Sequence, residues 1–486
     1  MNILENGRHE VLVVGAGVVG AAISFELCRR GLRVCCIHNP EHDETSASFA
    51  AGAMLGAFGE VTDDKSSAAD RAETDLRVAC ARRYPDFVAA LNASASPGVE
   101  IRQGTFIIAN PAGKDDVCNI LRIQKEAARY EEPNEWVEPG DIPGYRPHKS
   151  LRASKALFLP RENYLNSHTL LRSLRSAATA SGRVSWLHGT VAKVSVAAEG
   201  RVTGVELRDG RKIGGDRVVL ASGYGTRHIV EQSGPDTLDL PKLKGGKGSS
   251  LVLRSRIHLP HVIRTPNRDF ACGTHVVARG PNEIYVGATN RISDTPGENT
   301  GVTPGELHVQ IHSCLHEINT SLRTDEVISM RAGTRPLTSD GYPLIGRTRV
   351  DGLFIATGTY RNGILLAPGI ADIIASEVSG TLPVGSNPFD PRRRQLLKGP
   401  AHLDEIVRSG VRDLVSFIQE PHGSLPYERA RELESFMSVL LMGALTENEA
   451  SAKLLASARR ALAQDGQTET IAALYYDLAS TDVPAR

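Results

Sequence analysis

The stretch Val11-Leu-Val-Val-Gly15-Ala-Gly17-Val-Val-Gly20 predicts the first structural unit of the chain, and the remaining elements are interpreted around it. Four apolar residues of strand character lead into a Gly-x-Gly-x-x-Gly turn, and residues 21–27 continue as a helix. In such a turn Gly15 permits the bend, Gly17 lets a diphosphate approach the backbone, and Gly20 lets helix and strand pack closely. A second strand at residues 32–38 completes a βαβ unit of roughly 30 residues. The pattern predicts a site for the diphosphate of a dinucleotide; the alternative is a glycine-rich turn in some other α/β domain.

The second strand departs from the usual pattern at its end. His38 stands where an Asp or Glu usually accepts both ribose hydroxyls. An imidazole can accept one hydroxyl and donate to the other, so we consider His38 and the adjacent Asn39 candidate nucleotide contacts. The alternative is that His38 only caps the strand. No Arg follows the strand to meet a 2′-phosphate, which disfavours NADP.

The composition excludes several classes of function. A chain of 486 residues is too long for one core and is expected to form two or three domains. Its 56 Lys and Arg residues balance 56 Asp and Glu residues and are dispersed, which argues against nucleic-acid binding and a polybasic membrane anchor. No apolar run approaches the roughly 18 residues of a spanning helix, and residues 1–10 are polar, so we expect a soluble cytoplasmic protein.

The cysteines indicate neither a disulfide framework nor a metal site. Seven cysteines form an odd set without a Cys-x-x-Cys spacing, and no paired histidine spacing accompanies them. Cys35 and Cys36 lie in the second predicted strand and are interpreted as small buried hydrophobic residues. We therefore predict no bound metal.

Beyond the βαβ unit, the chain alternates between helical and strand patterns. Residues 45–57, Thr-Ser-Ala-Ser-Phe-Ala-Ala-Gly-Ala-Met-Leu-Gly-Ala, are small or hydroxylated enough to let the main chain pass close to a ligand, or else form a loosely packed loop. Apolar periodicity predicts helices over 64–92, 115–130, 167–181 and 304–315, and antiparallel sheet over 241–290. A meander over 185–220 has a hairpin turn at Asp209-Gly210 and ends in Ala221-Ser-Gly223, which is typical of a second pass through the nucleotide domain.

A second glycine-bearing turn, Gly358-Thr-Tyr-Arg361-Asn-Gly363, precedes an apolar segment ending at Pro368. We expect a helix over residues 369–378 after it. The N–H groups and partial positive charge of a helix start could then face an electron-rich ring.

Two motifs carry a resemblance to a known family. They are Ala332-Gly-Thr-Arg-Pro-Leu-Thr-Ser-Asp-Gly-Tyr-Pro and Tyr360-Arg-Asn-Gly-Ile-Leu-Leu-Ala-Pro. Together with the glycine turn they resemble the glycine oxidase and D-amino-acid oxidase family of FAD-dependent amine oxidoreductases, and the glycine oxidase branch in particular. The resemblance runs from about residue 11 to 394.

The resemblance implies an α/β molecule of two domains. A Rossmann-like FAD-binding domain would be assembled from residues 1–90, 150–240 and 330–395. A mixed-sheet substrate domain, from residues 91–149 and 241–329, would roof the flavin. Residues 400–486 lie beyond the usual end of the family.

The resemblance also implies the cofactor contacts. Gly15, Gly17 and Gly20 would hold the pyrophosphate. The other implied contacts are Val18, Val19, His38, Asn39, Ser46, Ala51, Gly52, Met54, Val191, Ala221, Ser222, Gly223, Arg335, Gly358, Arg361, Asn362, Gly363 and Ile364. No cysteine accompanies the Arg335 motif, so we predict non-covalent FAD.

The chemistry that the family performs asks for positioning and electrostatics. A neutral amine transfers hydride to flavin N5 and leaves an imine that water hydrolyses, without a protein nucleophile. Arg335 matches the family's carboxylate clamp, for which a bidentate guanidinium is suited, although Arg335 could instead be a structural partner of Asp340. Arg361 is the second predicted cation, which we expect to act on the flavin and near the carboxylate. His275 completes the predicted catalytic set.

Three positions depart from the glycine oxidase branch. His275 replaces an aromatic hydroxyl, Asn290 replaces an apolar side chain, and Thr359 replaces a histidine before Tyr360. The predicted substrate-binding residues are therefore His275, Asn290, Arg335 and Arg361. This more polar pocket indicates a substrate larger or more hydroxylated than glycine.

The C-terminal segment predicts a small helical bundle. Helical spacing covers 403–419, 427–445, 447–465 and 468–478, and Thr446-Glu-Asn-Glu449 is a capping box. The apolar stretch Phe436-Met-Ser-Val-Leu-Leu-Met442 would pack on the main body or on another subunit, so a homo-oligomer is expected.

Three functions follow from this sequence. The first is an oxidase of a small amino acid or amine, with O2 as acceptor and an imine or 2-oxo acid and H2O2 as products. The second is the flavin subunit of a multi-subunit opine or amine dehydrogenase, which passes electrons to a partner. The third is a non-catalytic flavoprotein.

Overall fold

The computed structural model describes residues 8–393, except for 63–66, 112, 114, 235–237, 269–272, 294–300 and 382–386, together with 411, 437 and 438. The helices within these residues are α1 Val18–Arg29, α2 Ala47–Ala50, α3 Ala68–Asn92, α4 Asp116–Arg129, α5 Ser167–Ala180, α6 Thr226–Ser233, α7 Pro304–Ser313 and α8 Gly363–Val378. The strands of the first half are β1 Val11–Val14, β2 Val34–His38, β3 Met54–Leu55, β4 Arg102–Ala109, β5 Glu135–Val137, β6 Lys155–Tyr164, β7 Val184–His188, β8 Val191–Val196, β9 Val202–Leu207, β10 Lys212–Gly214 and β11 Val218–Leu220. Those of the second half are β12 Leu243–Arg254, β13 Val262–Arg264, β14 His275–Gly280, β15 Glu283–Gly287, β16 Arg291–Ser293, β17 Glu326–Thr338, β18 Leu344–Arg347 and β19 Leu353–Thr357.

A six-stranded sheet has the order β18-β19-β11-β1-β2-β7, and its strands are parallel except for β18. β1 is buried at every position because both faces of the sheet are covered. Val11 and Val13 belong to the core beneath α1, α5 and α8. Leu12 and Val14 belong to the core beneath the antiparallel sheet β10-β9-β8. The predicted βαβ unit and the second pass through its sheet are both confirmed.

A larger mixed sheet has the order β16-β12-β15-β14-β13-β4-β6-β3, with β17 paired to β12 and β5 paired to β6. The pairs among β12, β13, β14 and β15 are antiparallel, whereas β13 and β4 are parallel. β17 runs along β12 over most of its length and brings the Arg335 motif onto this sheet. The predicted α/β fold with a Rossmann-like sheet and a mixed sheet is confirmed.

The helix after the second glycine turn begins earlier than predicted. α8 starts at Gly363 rather than at residue 369, and Pro368 lies inside it. Proline lacks the N–H that would bond to the carbonyl four residues earlier, that of Ile364. The buried hydroxyl of Tyr84 on α3 donates to that carbonyl at 2.9 Å. This contact from a distant helix satisfies the carbonyl that Pro368 leaves without its helical partner, and the local sequence does not show it.

The predicted domain boundaries remain a prediction. β6 and β17 pair within the large sheet, although they lie in or across the stretches assigned to the FAD-binding domain. The predicted C-terminal helices lie outside the described residues, apart from 411, 437 and 438. No helix in the described ranges is both long and apolar enough to cross a membrane.

Candidate active site

A cavity of about 650 Å3 extends between the glycine turn at the start of α1 and the face of the large sheet. The glycine-turn end is formed by residues such as Gly15, Gly17, His38 and Ser48. The arginine end is formed by Arg264, His275, Arg335 and Arg361, together with Glu60. One cavity thus joins the two motifs on which the sequence interpretation depends.

The glycine turn is too tight for other side chains. Gly15 has a φ of +103°, and a Cβ there would lie 2.6 Å from the carbonyl oxygen of Ala221. A Cβ at Gly20 would lie 2.0 Å from the carbonyl oxygen of Gly15, so Gly20 serves the close packing of helix and strand, as predicted. Gly17 itself lines the cavity. The backbone at the start of α1 therefore borders an open space that an anion can approach.

Ser48 lies at this helix start and was not predicted as a site residue. The N–H of Val18 donates to Ser48 Oγ at 3.0 Å. Helix starts leave N–H groups without intrahelical partners, and this hydroxyl satisfies one of them. The signal was available, because Ser48 belongs to the run of small and hydroxylated residues at 45–57.

The end of β2 presents a neutral imidazole to the cavity. His38 is half-buried, lines the cavity and makes an edge contact with the Trp186 ring, 5.6 Å between centroids. Burial lowers the pKa of His38 below its ordinary value, and the charge of Arg175 lowers it further. A neutral ring has one donor and one acceptor, as the predicted ribose contact requires. Asn39 also lines the cavity, and its Oδ1 accepts from the N–H of Glu41 at 3.1 Å.

Arg175 fixes the glycine turn from α5. Its guanidinium binds both carboxylate oxygens of Asp43, at 2.6 and 2.8 Å, and donates to the carbonyl of Ala16 at 2.7 Å. Arg175 and Asp43 are 132 residues apart, so no local spacing indicated the pair. The charge of Arg175 is therefore balanced by Asp43 within the protein.

The structure brings nearly all of the predicted cofactor contacts to the cavity wall. These are Gly15, Gly17, Val18, Val19, His38, Asn39, Ser46, Ala51, Gly52, Met54, Val191, Ala221, Ser222, Gly223, Arg335, Arg361, Asn362, Gly363 and Ile364. Gly20 and Gly358 lie outside the wall, and a Cβ at Gly358 would lie 2.7 Å from Thr338 Cγ2. Asn290 also lies outside the wall and contacts Arg335 instead. The binding roles of these residues remain predictions.

Arg335 lies flat on the large sheet with neutral partners. Its Nη1 donates to the carbonyl of Thr289 at 3.2 Å and to Asn290 Oδ1 at 3.1 Å. A Cβ at Gly248 on β12 would lie 2.1 Å from Arg335 Nη2, so the guanidinium needs a glycine beneath it. Within the described ranges, no carboxylate lies within ion-pair distance of Arg335.

Asp340, the alternative partner that the sequence suggested for Arg335, pairs with another arginine. Arg393 Nη2 lies 3.0 Å from Asp340 Oδ2, and the two side chains are 7% and 0% exposed. The structural ion pair of this motif is therefore Asp340 with Arg393. Arg335, by contrast, lines the cavity.

Arg361 differs from Arg335 in having an acidic neighbour. Its Nη1 lies 3.7 Å from Glu60 Oε2, with the side chains 9% and 13% exposed. Its guanidinium also lies 4.7 Å from the centroid of the Tyr360 ring. Arg361 therefore contributes a charge that Glu60 partly balances, which agrees with an electrostatic role.

His275 is a buried, neutral group on the sheet face. It is 6% exposed and stacks on Tyr285 with 5.7 Å between ring centroids. Burial lowers the pKa of His275 to about 3, and the charges of Arg264 and Arg335 contribute. His275 can donate or accept a hydrogen bond, but at neutral pH it supplies no positive charge.

Among the cavity residues that the sequence interpretation missed are Glu60, Arg264 and Asn267. Arg264 ends β13, a strand of only three residues, which is too short for a periodic pattern. Glu60 and Asn267 lie outside the helices and strands. Thr359, the predicted replacement of a histidine, also lines the cavity.

The described part of the chain offers no group of three His, Cys, Asp or Glu side chains able to hold a metal ion. No cysteine is among the described residues that line the cavity. Five of the six described cysteines are buried, and Cys118 is exposed.

Comparison with known proteins agrees with this geometry. Residues 10–377, more than half of the chain, match the DAO family model, described as FAD dependent oxidoreductase. A glycine oxidase of Geobacillus kaustophilus (strain HTA426) is 26% identical over 377 residues, which cover 76% of this chain and 93% of that protein. The crystal structure of glycine oxidase from Geobacillus kaustophilus superimposes with a TM-score of 0.68 at 24% identity, covering 80% of this chain and 99% of that one.

A similar fold is found in the crystal structure of iminodiacetate oxidase from Chelativorans sp. BNC1. Its TM-score is 0.67 at 22% identity, and the match covers 79% of this chain and 99% of that one. The family resemblance inferred from the two motifs is confirmed. The chain belongs to the DAO family and is an FAD-dependent oxidoreductase.

Proposed function

We propose that the protein oxidises an amino acid or amine that bears a carboxylate and is larger or more polar than glycine. O2 is the proposed electron acceptor, and the products are an imine or the derived 2-oxo acid and H2O2. The observation that carries the proposal is Arg335, whose guanidinium lines the cavity and contacts neutral acceptors. A partly buried guanidinium such as that of Arg335 favours an anionic partner, and its planar fork matches a carboxylate.

The cavity suits non-covalent FAD. The N–H groups at the start of α1 would hold the pyrophosphate, with His38 at a ribose and the start of α8 near the flavin ring. When bound, FAD accepts the hydride that leaves the substrate's α-carbon. The absence of cysteine among the described wall residues supports non-covalent attachment.

The protein's own groups position the substrate and set the charge around it. Arg335 binds the carboxylate and thereby orients the α C–H bond. His275, held neutral by burial, can bond to the substrate without placing a positive charge beside the amine. Arg361 and Glu60 form a nearly buried ion pair, which contributes to the electrostatic field at the arginine end of the cavity.

The test is anaerobic addition of an amine panel to the purified, FAD-loaded chain, followed by admission of air. The proposal expects carboxylate-bearing amines to bleach the visible flavin band, and air to restore it with formation of H2O2. Bleaching with slow reoxidation would support the dehydrogenase-subunit alternative instead. A flavin that no amine bleaches would defeat the proposal and favour a non-catalytic flavoprotein.

Two further predictions accompany this function and are independent of the reaction. We propose a cytoplasmic location, which is supported by the six described cysteines being free thiols. We also propose a homo-oligomer that assembles through residues 400–486.

A further inference from the structure

We propose that Arg264 holds a second carboxylate, so that the preferred substrate is an amine or amino acid bearing two carboxylates. The inference rests on the proposed function, because it specifies the substrate class of the same cavity. It uses a residue that the sequence interpretation did not assign to the site.

Arg264 and His275 are neighbours on one face of the large sheet. Arg264 on β13 pairs with His275 on β14, and His275 pairs with Gly287 on β15. Directly opposed residues of antiparallel strands project their side chains to the same face. A Cβ at Gly287 would lie 2.6 Å from His275 Nε2, so the absence of a side chain there lets His275 occupy the face.

Arg335 projects to that same face from the other side of His275. Gly287 pairs with Ser250 on β12, and Ser250 pairs with Arg331 on β17. The paired residues therefore form one row across the sheet, from Arg264 to Arg331. Alternation along β17 places residue 335 on the face of residue 331. Gly248 and Gly333, paired on these strands, line the cavity without side chains. Two guanidinium groups therefore flank an open stretch of sheet with neutral His275 on its wall.

The partners of Arg264 are neutral. Its Nε donates to the carbonyl of Thr265 at 3.0 Å, and its Nη2 donates to the Gly59 carbonyl at 3.3 Å and to Asn267 Oδ1 at 2.8 Å. The side chain is only 4% exposed and lines the cavity. Across the described ranges, no carboxylate lies within 4.0 Å of this guanidinium.

Two carboxylates lie in the neighbourhood of Arg264, and neither is within ion-pair distance of its guanidinium. Glu60 lies beside Arg361 and accepts from Asn267 Nδ2. Glu162 Oε1 accepts from the N–H of Phe58 at 2.9 Å; burial raises the pKa of Glu162, while this N–H and the charge of Arg264 lower it, but Glu162 makes no ion pair with Arg264. A buried arginine is costly without an anionic partner. A ligand carboxylate in the cavity would be that partner for Arg264, as another would be for Arg335.

A substrate with one carboxylate would satisfy one of these two guanidinium groups. A second carboxylate, on the side chain or on the amine's substituent, would satisfy both and gain a second charge-assisted contact. Arg264 and Arg335 together therefore favour a substrate with one oxidisable amine and two carboxylates.

The direct test is binding, measured by isothermal titration calorimetry on the FAD-loaded protein. The probes are glutarate and butyrate, which have nearly the same chain length but two carboxylates and one. The proposal expects glutarate to bind at least about 10-fold more tightly, and Arg264→Gln to reduce this preference to within about 2-fold. Equal binding of the two probes to the unmodified protein, or an unchanged preference in Arg264→Gln, would overturn it.

Two further variants control for structure. Arg264→Lys retains a cation and is expected to retain part of the glutarate preference. Arg331→Gln removes a cation from the same sheet row but outside the cavity wall, and is expected to leave the preference unchanged. A loss of preference in Arg331→Gln equal to that in Arg264→Gln would contradict a specific role for Arg264. The visible flavin spectrum and Tm show whether each variant is folded.

Kinetics separate this inference from the proposed function. Iminodiacetate and sarcosine differ by one carboxylate on the same secondary amine. The kcat/KM ratio of iminodiacetate to sarcosine should be above about 10 and should fall at least about 10-fold in Arg264→Gln. If no amine bleaches the flavin but glutarate preference depends on Arg264, the proposed reaction fails and the second carboxylate site stands. If amines bleach the flavin but the kcat/KM ratio of iminodiacetate to sarcosine is unchanged in Arg264→Gln, the inference fails and the proposed reaction stands.

Discussion

The two ends of the cavity are built in different ways. The glycine turn is made by closely spaced residues whose backbone conformation creates the space, and Arg175, which donates to the Ala16 carbonyl, is paired with Asp43 inside the protein. The arginine end is made by side chains from β13, β14, β17 and the turn before α8, and Arg335 has neutral partners. The first end is therefore organised before any ligand binds, whereas the second has guanidinium groups whose natural partners are ligand carboxylates.

The largest expected effect is at the glycine-turn end. Gly20→Val would place a Cβ 2.0 Å from the Gly15 carbonyl oxygen, and a rigid backbone cannot accommodate it. We expect a loss of more than about 3 kcal/mol in unfolding free energy, together with loss of bound FAD. Thermal unfolding and the visible flavin band measure both.

Gly17→Ala is the matched control for that substitution. Its Cβ would lie 3.3 Å from Ser48 Oγ, a contact that a small shift of the hydroxyl relieves. Stability should fall far less than in Gly20→Val, while FAD affinity falls because the methyl group faces the cavity. Equal destabilisation by the two substitutions would contradict the division between packing and binding glycines.

At the arginine end, Arg335→Gln should spare the fold and impair the reaction. We expect kcat/KM for a carboxylate-bearing amine to fall roughly 30- to 1,000-fold, with FAD still bound. This fall corresponds to a loss of about 2–4 kcal/mol in transition-state stabilisation. Steady-state kinetics under the conditions used for the unmodified protein give the value. Arg331→Gln, outside the cavity wall on the same strand, should leave kcat/KM within about 2-fold. Equal losses in both variants would point to damage to β17 rather than to a lost clamp.

A third prediction concerns pH and the buried histidines. Burial lowers the pKa of His275 to about 3 and that of His168 to about 4, while the unfolded chain protonates both near pH 6.5. Below that pH the unfolded state binds protons that the folded state does not. The unfolding free energy is therefore highest above pH 6.5 and falls with acidification. Near pH 5 each histidine should contribute a slope that approaches about 1.4 kcal/mol per pH unit, and the slope should be smaller for the less buried His168. Urea unfolding at several pH values should show His168→Gln and His275→Gln each with a shallower slope; an unchanged slope would mean that the histidine is protonated in the folded state.

The smallest expected effect is that of the Arg175–Asp43 pair. The two side chains are 23% and 24% exposed, so solvent screens their attraction. Arg175→Gln should cost about 1 kcal/mol in unfolding free energy and weaken FAD binding, with little change in kcat. A large fall in kcat at saturating FAD would show that the pair acts on the arginine end.

The same contrast explains what the sequence could predict. Gly15 and Gly20 act through local backbone geometry, so their spacing was sufficient to predict the turn. Arg335 and Arg361 were found because they lie in motifs that resemble a family. Arg264 stands at the end of a three-residue strand, and its position beside His275 depends on strand pairing that no local pattern records.

The start of α8 is an instructive error. The sequence predicted a helix beginning at residue 369, although Pro368 in fact lies inside α8, where a proline removes one backbone hydrogen bond. The Tyr84 hydroxyl, 280 residues away in the chain, donates to the Ile364 carbonyl and makes the earlier start possible. Such compensation is visible only in the packed structure.

The most direct test of the account measures how Arg335 discriminates between amines with and without a carboxylate. Sarcosine and N-methylethylamine would each be mixed anaerobically with the FAD-loaded protein and with Arg335→Gln, and the rate of flavin bleaching recorded. The account predicts that the unmodified protein strongly prefers sarcosine and that the preference largely disappears in the variant. A preference of the same size in both proteins would contradict the assignment of Arg335 as the carboxylate clamp.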